Sequence, residues 1–240
     1  MNIKTLSVFA LFFTFAANIF AQNEKATQSP LTFSYEVGYA NQLRNGKEVA
    51  KLNIDGLRMG AFLKYNFTSH FFGQTGLFYE YLHYNNTQFY HSGAGSYRQS
   101  TSANQLNLPI LMGYQVPLFA KINFFAYGGP TLRLGLSESL LTATTYPTDS
   151  TTKADLIALL KSEGMYRTDG FSNMYKDKQL TRFSILLSVG GGFEWKKFYL
   201  KSGYDFGLTN INTDDSAINI GSKRKRLTQG GWFISLGYNF

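Results

Sequence analysis

The sequence predicts an all-β, eight-stranded antiparallel up-and-down transmembrane β-barrel, and three observations carry that expectation. Beyond residue 30, apolar residues recur with period 2 rather than 3.6 in eight segments. The intervals between these segments alternate between short and long. The chain holds 22 Phe and 16 Tyr while only 16% of its residues are charged, a balance suited to a wall that faces lipid.

Residues 1–22, MNIKTLSVFALFFTFAANIFAQ, carry one charge, Lys4, then an apolar run from Leu6 to Ala17 and the small residue Ala21. A basic start, a short apolar stretch and a small residue describe a secretory signal peptide spanning 1–21. A membrane-anchoring helix needs about 20 apolar residues, and Asn18 interrupts this run. Residues 22–30 then form a short periplasmic segment before the barrel of 31–240.

In the first strand segment Leu31, Phe33, Tyr35, Val37 and Tyr39 alternate with Thr32, Ser34, Glu36 and Gly38. The second sets Leu57, Met59, Ala61, Leu63 and Tyr65 against Arg58, Gly60, Phe62 and Lys64. The third, Phe71 to about Tyr84, sets Leu77, Tyr79 and Tyr81 against Gln74, Gly76 and Glu80. The fourth sets Leu106, Leu108, Ile110 and Met112 against Gln105, Asn107 and Pro109. The fifth and sixth run from Ile122 to Leu136 and from Arg182 to Trp195, with Thr131, Arg133, Ser184, Ser188 and Glu194 on the polar side. The seventh, Phe198 to Thr209, turns Lys201, Gly203 and Asp205 the same way, and the eighth runs from Gly230 to Phe240. Each is long enough for the roughly 9–11 residues of a tilted spanning strand.

Alternation alone does not separate a membrane barrel from a soluble sandwich, because the two differ only in which face meets water. The connections do. Short intervals follow the second, fourth and sixth strands, and long ones fall at about 41–55, 85–104, 137–181 and 210–229. Sorted loops are expected of periplasmic turns and extracellular loops. A three-residue turn at Thr68–His70 makes Phe67 oppose Phe71 and Arg58 oppose Glu80.

The polar parity carries eight ionisable residues: Glu36, Arg58, Lys64, Glu80, Arg133, Glu194, Lys201 and Asp205. Charge inside a narrow lumen is costly unless paired. Four acids with four bases therefore suit an internal ion-pair network better than a selective channel. Glycines such as Gly128-Gly129 and Gly190-Gly191-Gly192 lack nucleotide-loop spacing and fit strand curvature and close packing.

The absence of Cys removes disulfide scaffolds, thiolate metal sites and thiol nucleophiles. His70, His83 and His91 share no metal-ligand spacing, and neither a metal nor any other cofactor is expected. His83 with Glu138 and Ser137 or Ser139 is the one arrangement that suggests acyl-ester chemistry at an outer rim. Lys223-Arg224-Lys225-Arg226 is the densest charge cluster. Export rules out nucleic acid, so in the fourth loop it reads as a contact for anions such as lipopolysaccharide phosphate, or as a solvated loop tip. The third loop contains Lys153–Ser162, with Leu156, Leu159 and Leu160 on one helical side, and reads as a variable surface loop or as a lid or docking face.

Leu106–Tyr114 (LNLPILMGY), Phe125–Arg133 (FAYGGPTLR), Ser202–Ile211 (SGYDFGLTNI) and Leu236–Phe240 (LGYNF) resemble the PorT-like, "porin family" outer-membrane β-barrel proteins of Bacteroidota, over about residues 31–240. That resemblance implies OmpA-type eight-stranded architecture and no shared catalytic residues. It also implies that Phe240 is a terminal signal for barrel-assembly machinery. The expected activity is that of a noncatalytic outer-membrane scaffold contacting lipid, lipopolysaccharide and an envelope or secretion-complex protein. A narrow small-solute channel, a lipid A-modifying enzyme and a soluble lipocalin-like binder are the alternatives.

Overall fold

The computed structural model describes residues 30–46, 49–89, 96–119, 122–145, 150–162, 169–213 and 226–240. The strands are β1 (Leu31–Gly46), β2 (Val49–Asn66), β3 (Phe71–Phe89), β4 (Ser96–Pro117), β5 (Ile122–Thr145), β6 (Gly170–Asn173), β7 (Phe183–Trp195), β8 (Phe198–Gly207) and β9 (Leu227–Asn239). One helix, α1, spans Ser150–Ser162. Strands pair in the order β4-β3-β2-β1-β9-β8-β7-β5-β6, and an additional β4–β5 pairing closes an eight-stranded ring. The four-residue β6 is an accessory strand on the upper part of β5, from Ser139 to Thr142. Closure leaves no unpaired edge within the ring, which is what lets a sheet cross lipid.

Parity decides which side chains enter. Along β1, Ser34, Glu36, Ala40, Gln42 and Arg44 are buried, whereas Val37 and Tyr39 are exposed. Along β9, Phe233 and Ser235 point in while Trp232, Ile234 and Leu236 point out. The ladder sets Arg58 opposite Glu80, and the Phe67 amide donates to the Phe71 carbonyl at 2.9 Å. The interior is not all polar: Phe72, Phe125, Tyr127, Tyr199 and Phe233 belong to one buried cluster. Glycines make room for these rings. A Cβ on Gly113 would meet the Phe72 ring at 2.1 Å, and one on Gly237 would meet the Tyr199 ring at 2.0 Å.

The strands extend well beyond the expected ends. The intervals predicted as loops at 41–55 and 85–104 are strand apart from 47–48 and 90–95, which lie outside the described residues. The interval 137–181 contains the upper end of β5, α1 and β6, and within 210–229 β9 begins at Leu227. The physical reason is that apolar alternation ends where lipid ends, while the backbone still needs its ladder partners. Outward positions there are mostly polar: Asn41 donates to Asn53 Oδ1 and to Asp55 Oδ1, each at 2.6 Å. The ring is consequently uneven in height. β5 has 24 residues and β8 has 10.

The pairing of β4 with β5 shifts between Asn104 and Gln105: Asn104 opposes Ser137 and Gln105 opposes Gly135. Leu136 is the extra residue on β5. That bulge turns Glu138 inward, where it is 1% exposed. On α1, Leu156 is buried and Leu159 is exposed, so the predicted apolar side is covered only in part. The expected signal peptide at 1–21 and the segment 22–30 lie outside the described residues, apart from Pro30.

Candidate functional site

The interior holds a column of paired charges. Among the described residues with ion pairs there, five are basic (Arg44, Arg58, Lys64, Arg133, Lys201) and five acidic (Glu36, Glu80, Glu138, Glu194, Asp205). Six of them meet in the middle of the ring. Arg58 reaches Glu80 at 3.0 Å, Glu36 at 3.7 Å and Asp205 at 3.9 Å. Arg133 lies 3.5 Å from both Glu80 and Asp205, and Lys201 lies 3.4 Å from Glu36. The acids come from β1, β3 and β8, the bases from β2, β5 and β8, so the cluster ties opposite walls together.

Neutral groups join it. Gln105 Nε2 donates to Glu80 at 2.7 Å, Ser188 Oγ donates to Asp205 at 2.6 Å, and Arg133 Nε donates to Asn107 at 2.6 Å. The Arg58 guanidinium is sandwiched between Phe78 and Phe233, at 4.1 and 4.0 Å from their centroids. Lys201 Nζ sits 4.0 Å from the Phe62 centroid. Cations held against ring faces lose less on leaving water than they would against aliphatic groups. Two interior cavities measure about 20 and 10 Å³, room for about one water each. Side chains therefore fill the lumen at this level.

Lys64 and Glu194 stand apart toward the short-turn end, 3.5 Å from each other, with Lys64 also donating to Gln115 at 2.7 Å. At the opposite end Arg44 and Glu138 form a two-point bond, 2.5 and 2.6 Å. Neither member belonged to the predicted set. Arg44 continues the inward parity of Glu36, Gly38, Ala40 and Gln42, which is a usable sequence signal. Glu138 is inward only because of the Leu136 bulge, which no local pattern announces.

Above that pair the chain folds back over the mouth. The Met174 amide donates to the Glu138 carbonyl at 3.0 Å, and the Thr181 amide donates to the Ile211 carbonyl at 2.9 Å. Leu180, Ile211 and Leu227 form a buried cluster with Met174 and Tyr175 against it. Arg182 donates to the Leu136 carbonyl at 2.9 Å and lies 5.0 Å from the Tyr175 ring centroid. Burial, reinforced by the nearby Glu138 charge, pushes the Tyr175 phenol up to about 12, against the opposing pull of Arg44 and other arginines.

The imagined His83–Glu138 arrangement is not formed. His83 is exposed on the outer wall, its Nδ1 3.0 Å from Ser102 Oγ, whereas Glu138 faces inward to Arg44. Ser137 Oγ instead accepts from Asn104 Nδ2 at 2.8 Å. Asp55 is the ladder partner of His83, yet its carboxylate takes the Asn41 amide. His70 pairs with Ser69 at 2.8 Å in the turn before β3, and His91 lies outside the described residues. No cluster of metal-ligating side chains occurs among the described residues. Lys223, Arg224 and Lys225 also lie outside them; Arg226 is exposed just before β9. The Phe240 amide donates to the Phe33 carbonyl at 2.9 Å, and its ring packs on Tyr35 and Tyr238.

A closed ring with an apolar exterior and a charge-paired interior is an outer-membrane β-barrel. Residues 20–212 match the family model described as outer membrane protein beta-barrel domain, and the chain belongs to that family. A search of curated proteins finds no significant match. Among solved structures, Neisserial surface protein A is similar at 10% identity and TM-score 0.40, covering 87% of this chain and 97% of that one. Ail, the attachment invasion locus protein of Yersinia pestis in complex with a heparin analogue, is similar at 11% identity and TM-score 0.39, covering 88% and 99%. The outer membrane protein OprG of Pseudomonas aeruginosa is similar at 11% identity and TM-score 0.38, covering 87% and 95%.

Proposed function

We propose that the protein is a noncatalytic outer-membrane scaffold that presents its tall extracellular wall and capped mouth to envelope partners. The observation that carries this reading is the filled lumen: six paired charges and their aromatic neighbours occupy the section through which a solute would pass. Planar-bilayer recording of pure protein is expected to show no stable conductance, and a large steady conductance would favour the small-solute channel. Asp55, the acid on the ladder beside the His83–Ser102 pair, gives its carboxylate to Asn41, which supports the noncatalytic reading. Ser102 is therefore expected to resist fluorophosphonate labelling, and stoichiometric labelling lost in His83→Ala would mark a lipid-modifying enzyme.

The outer wall also supports contact with lipopolysaccharide, because outward polar groups such as Asn41, Asp55, His83 and Asn104 lie just above the apolar zone. Arg226 and the adjoining Lys223, Arg224 and Lys225 extend that role to its phosphates. A cleaved signal peptide at 1–21, PorT-like kinship within Bacteroidota and recognition of Phe240 by barrel-assembly machinery belong to the same proposal. Crosslinking from intact outer membranes, with residues 146–169 present or deleted, is expected to capture an envelope protein only when they are present.

A further inference from the structure

We infer that the short-turn end of the barrel carries a discrete site for one anionic phospholipid of the periplasmic leaflet, built where β8, β9, β1 and β2 adjoin. The outer wall there is not smooth. A trough of about 370 Å³ is lined by Tyr35, Val37, Met59, Phe198, Leu236 and Tyr238. Glu36 also borders it, but its carboxylate is turned inward to Arg58 and Lys201. The lining is thus apolar, as an acyl chain requires.

Charge is found at one end of this trough. The two-residue turn Lys196-Lys197 leads directly into Phe198, and the Lys197 carbonyl accepts the Asn239 amide at 2.7 Å. Lys197 Nζ lies 5.8 Å from the centroid of Tyr238, itself a trough residue. Lys196 Nζ lies 4.7 Å from the Trp195 centroid. Both ammonium groups are therefore held at the level of the aromatic girdle, where headgroups lie. Lys196 adopts φ 56, a left-handed conformation that glycine or asparagine occupies at lower cost. Among the described residues of the short turns, none is acidic. An apolar trough with Lys197 at its end, and Lys196 in the same turn, matches an amphiphile with a negatively charged phosphate next to its chains, and the short turns place it in the inner leaflet.

This site rests on the membrane location that the family establishes, not on the scaffold reading. The test uses the folded full-length barrel in detergent, titrated with phosphatidylglycerol and observed by native mass spectrometry. One tightly retained phosphatidylglycerol is expected, with diacylglycerol of the same chains bound at least tenfold more weakly. Lys196→Gln with Lys197→Gln is expected to weaken phosphatidylglycerol by about thirtyfold, the attraction of two basic residues to an anionic surface. Leu236→Trp, which fills the trough, is expected to abolish it, while Ile110→Trp on β4, across the ring, leaves it intact; a gel-mobility shift on boiling verifies folding of each variant. Equal retention by wild type and both variants, several equivalent lipids, or no preference for the anionic headgroup would overturn the inference.

Discussion

The centre of the barrel and its mouth both bury ion pairs, but they are built differently. In the centre each arginine contacts at least two carboxylates, and acids and bases balance among themselves. At the mouth, Arg44 and Glu138 have one another and join strands 94 residues apart in sequence. A shared network spreads the cost of a lost charge over several neighbours but is strained by the loss of its hub. An isolated pair fails when either member is lost and recovers when both are. Position thus decides what the same chemistry does: the central cluster joins several walls in the middle of the lumen, and the mouth pair ties β1 to β5 beneath the cap.

The largest expected effect is at the hub. Arg58→Met leaves Glu36, Glu80 and Asp205 short of a cation and removes the guanidinium between Phe78 and Phe233. The expected loss is about 3–5 kcal/mol, the cost of breaking a buried pair, read by denaturant unfolding from lipid vesicles. Breaking the mouth pair by Arg44→Met is expected to cost less, about 2 kcal/mol, because it orphans one carboxylate, Glu138, where loss of the hub leaves three short of a cation. The double variant Arg44→Met/Glu138→Gln should recover most of it; strict additivity in that cycle would show that the two residues act separately.

Tyr175 sharpens the contrast through pH. Its phenol holds its proton more tightly in the folded cap than the ordinary value of 10.0 allows. The cap's share of stability from this group is complete below pH 10 and is lost as pH climbs through about 12. Hydrogen exchange at Met174 and Thr181 should accelerate across that window while the barrel amides stay protected, and Tyr175→Phe should remove the step. The smallest effect is expected at Lys64, whose pair with Glu194 at 3.5 Å is the most solvent-accessible of the interior pairs: Lys64→Gln should change stability by about 1 kcal/mol.

The eight predicted interior charges show how far local pattern reaches. All lie on the inward parity, because successive Cβ atoms in a strand point to opposite faces and every apolar outward residue names its polar neighbour. The opposition of Arg58 and Glu80 follows from a short turn. The contact of Arg133 with Asp205, or of Lys201 with Glu36, has no such local mark. Arg44 lay within a stretch read as loop, since the apolar signal that reveals a strand is supplied by lipid and ends with it.

By itself, then, the sequence determined that the chain is a barrel, which side of each regular strand faces lipid and that eight charges of the middle and short-turn end lie within. These are consequences of period, parity and turn length, all local to a few residues. Tertiary structure decided how high each strand rises, that the Leu136 bulge turns Glu138 inward, that loop segments close the mouth, and which acid meets which base. Those depend on how the ring closes and staggers across the lumen, a relation among strands far apart in the chain that no single stretch of it encodes.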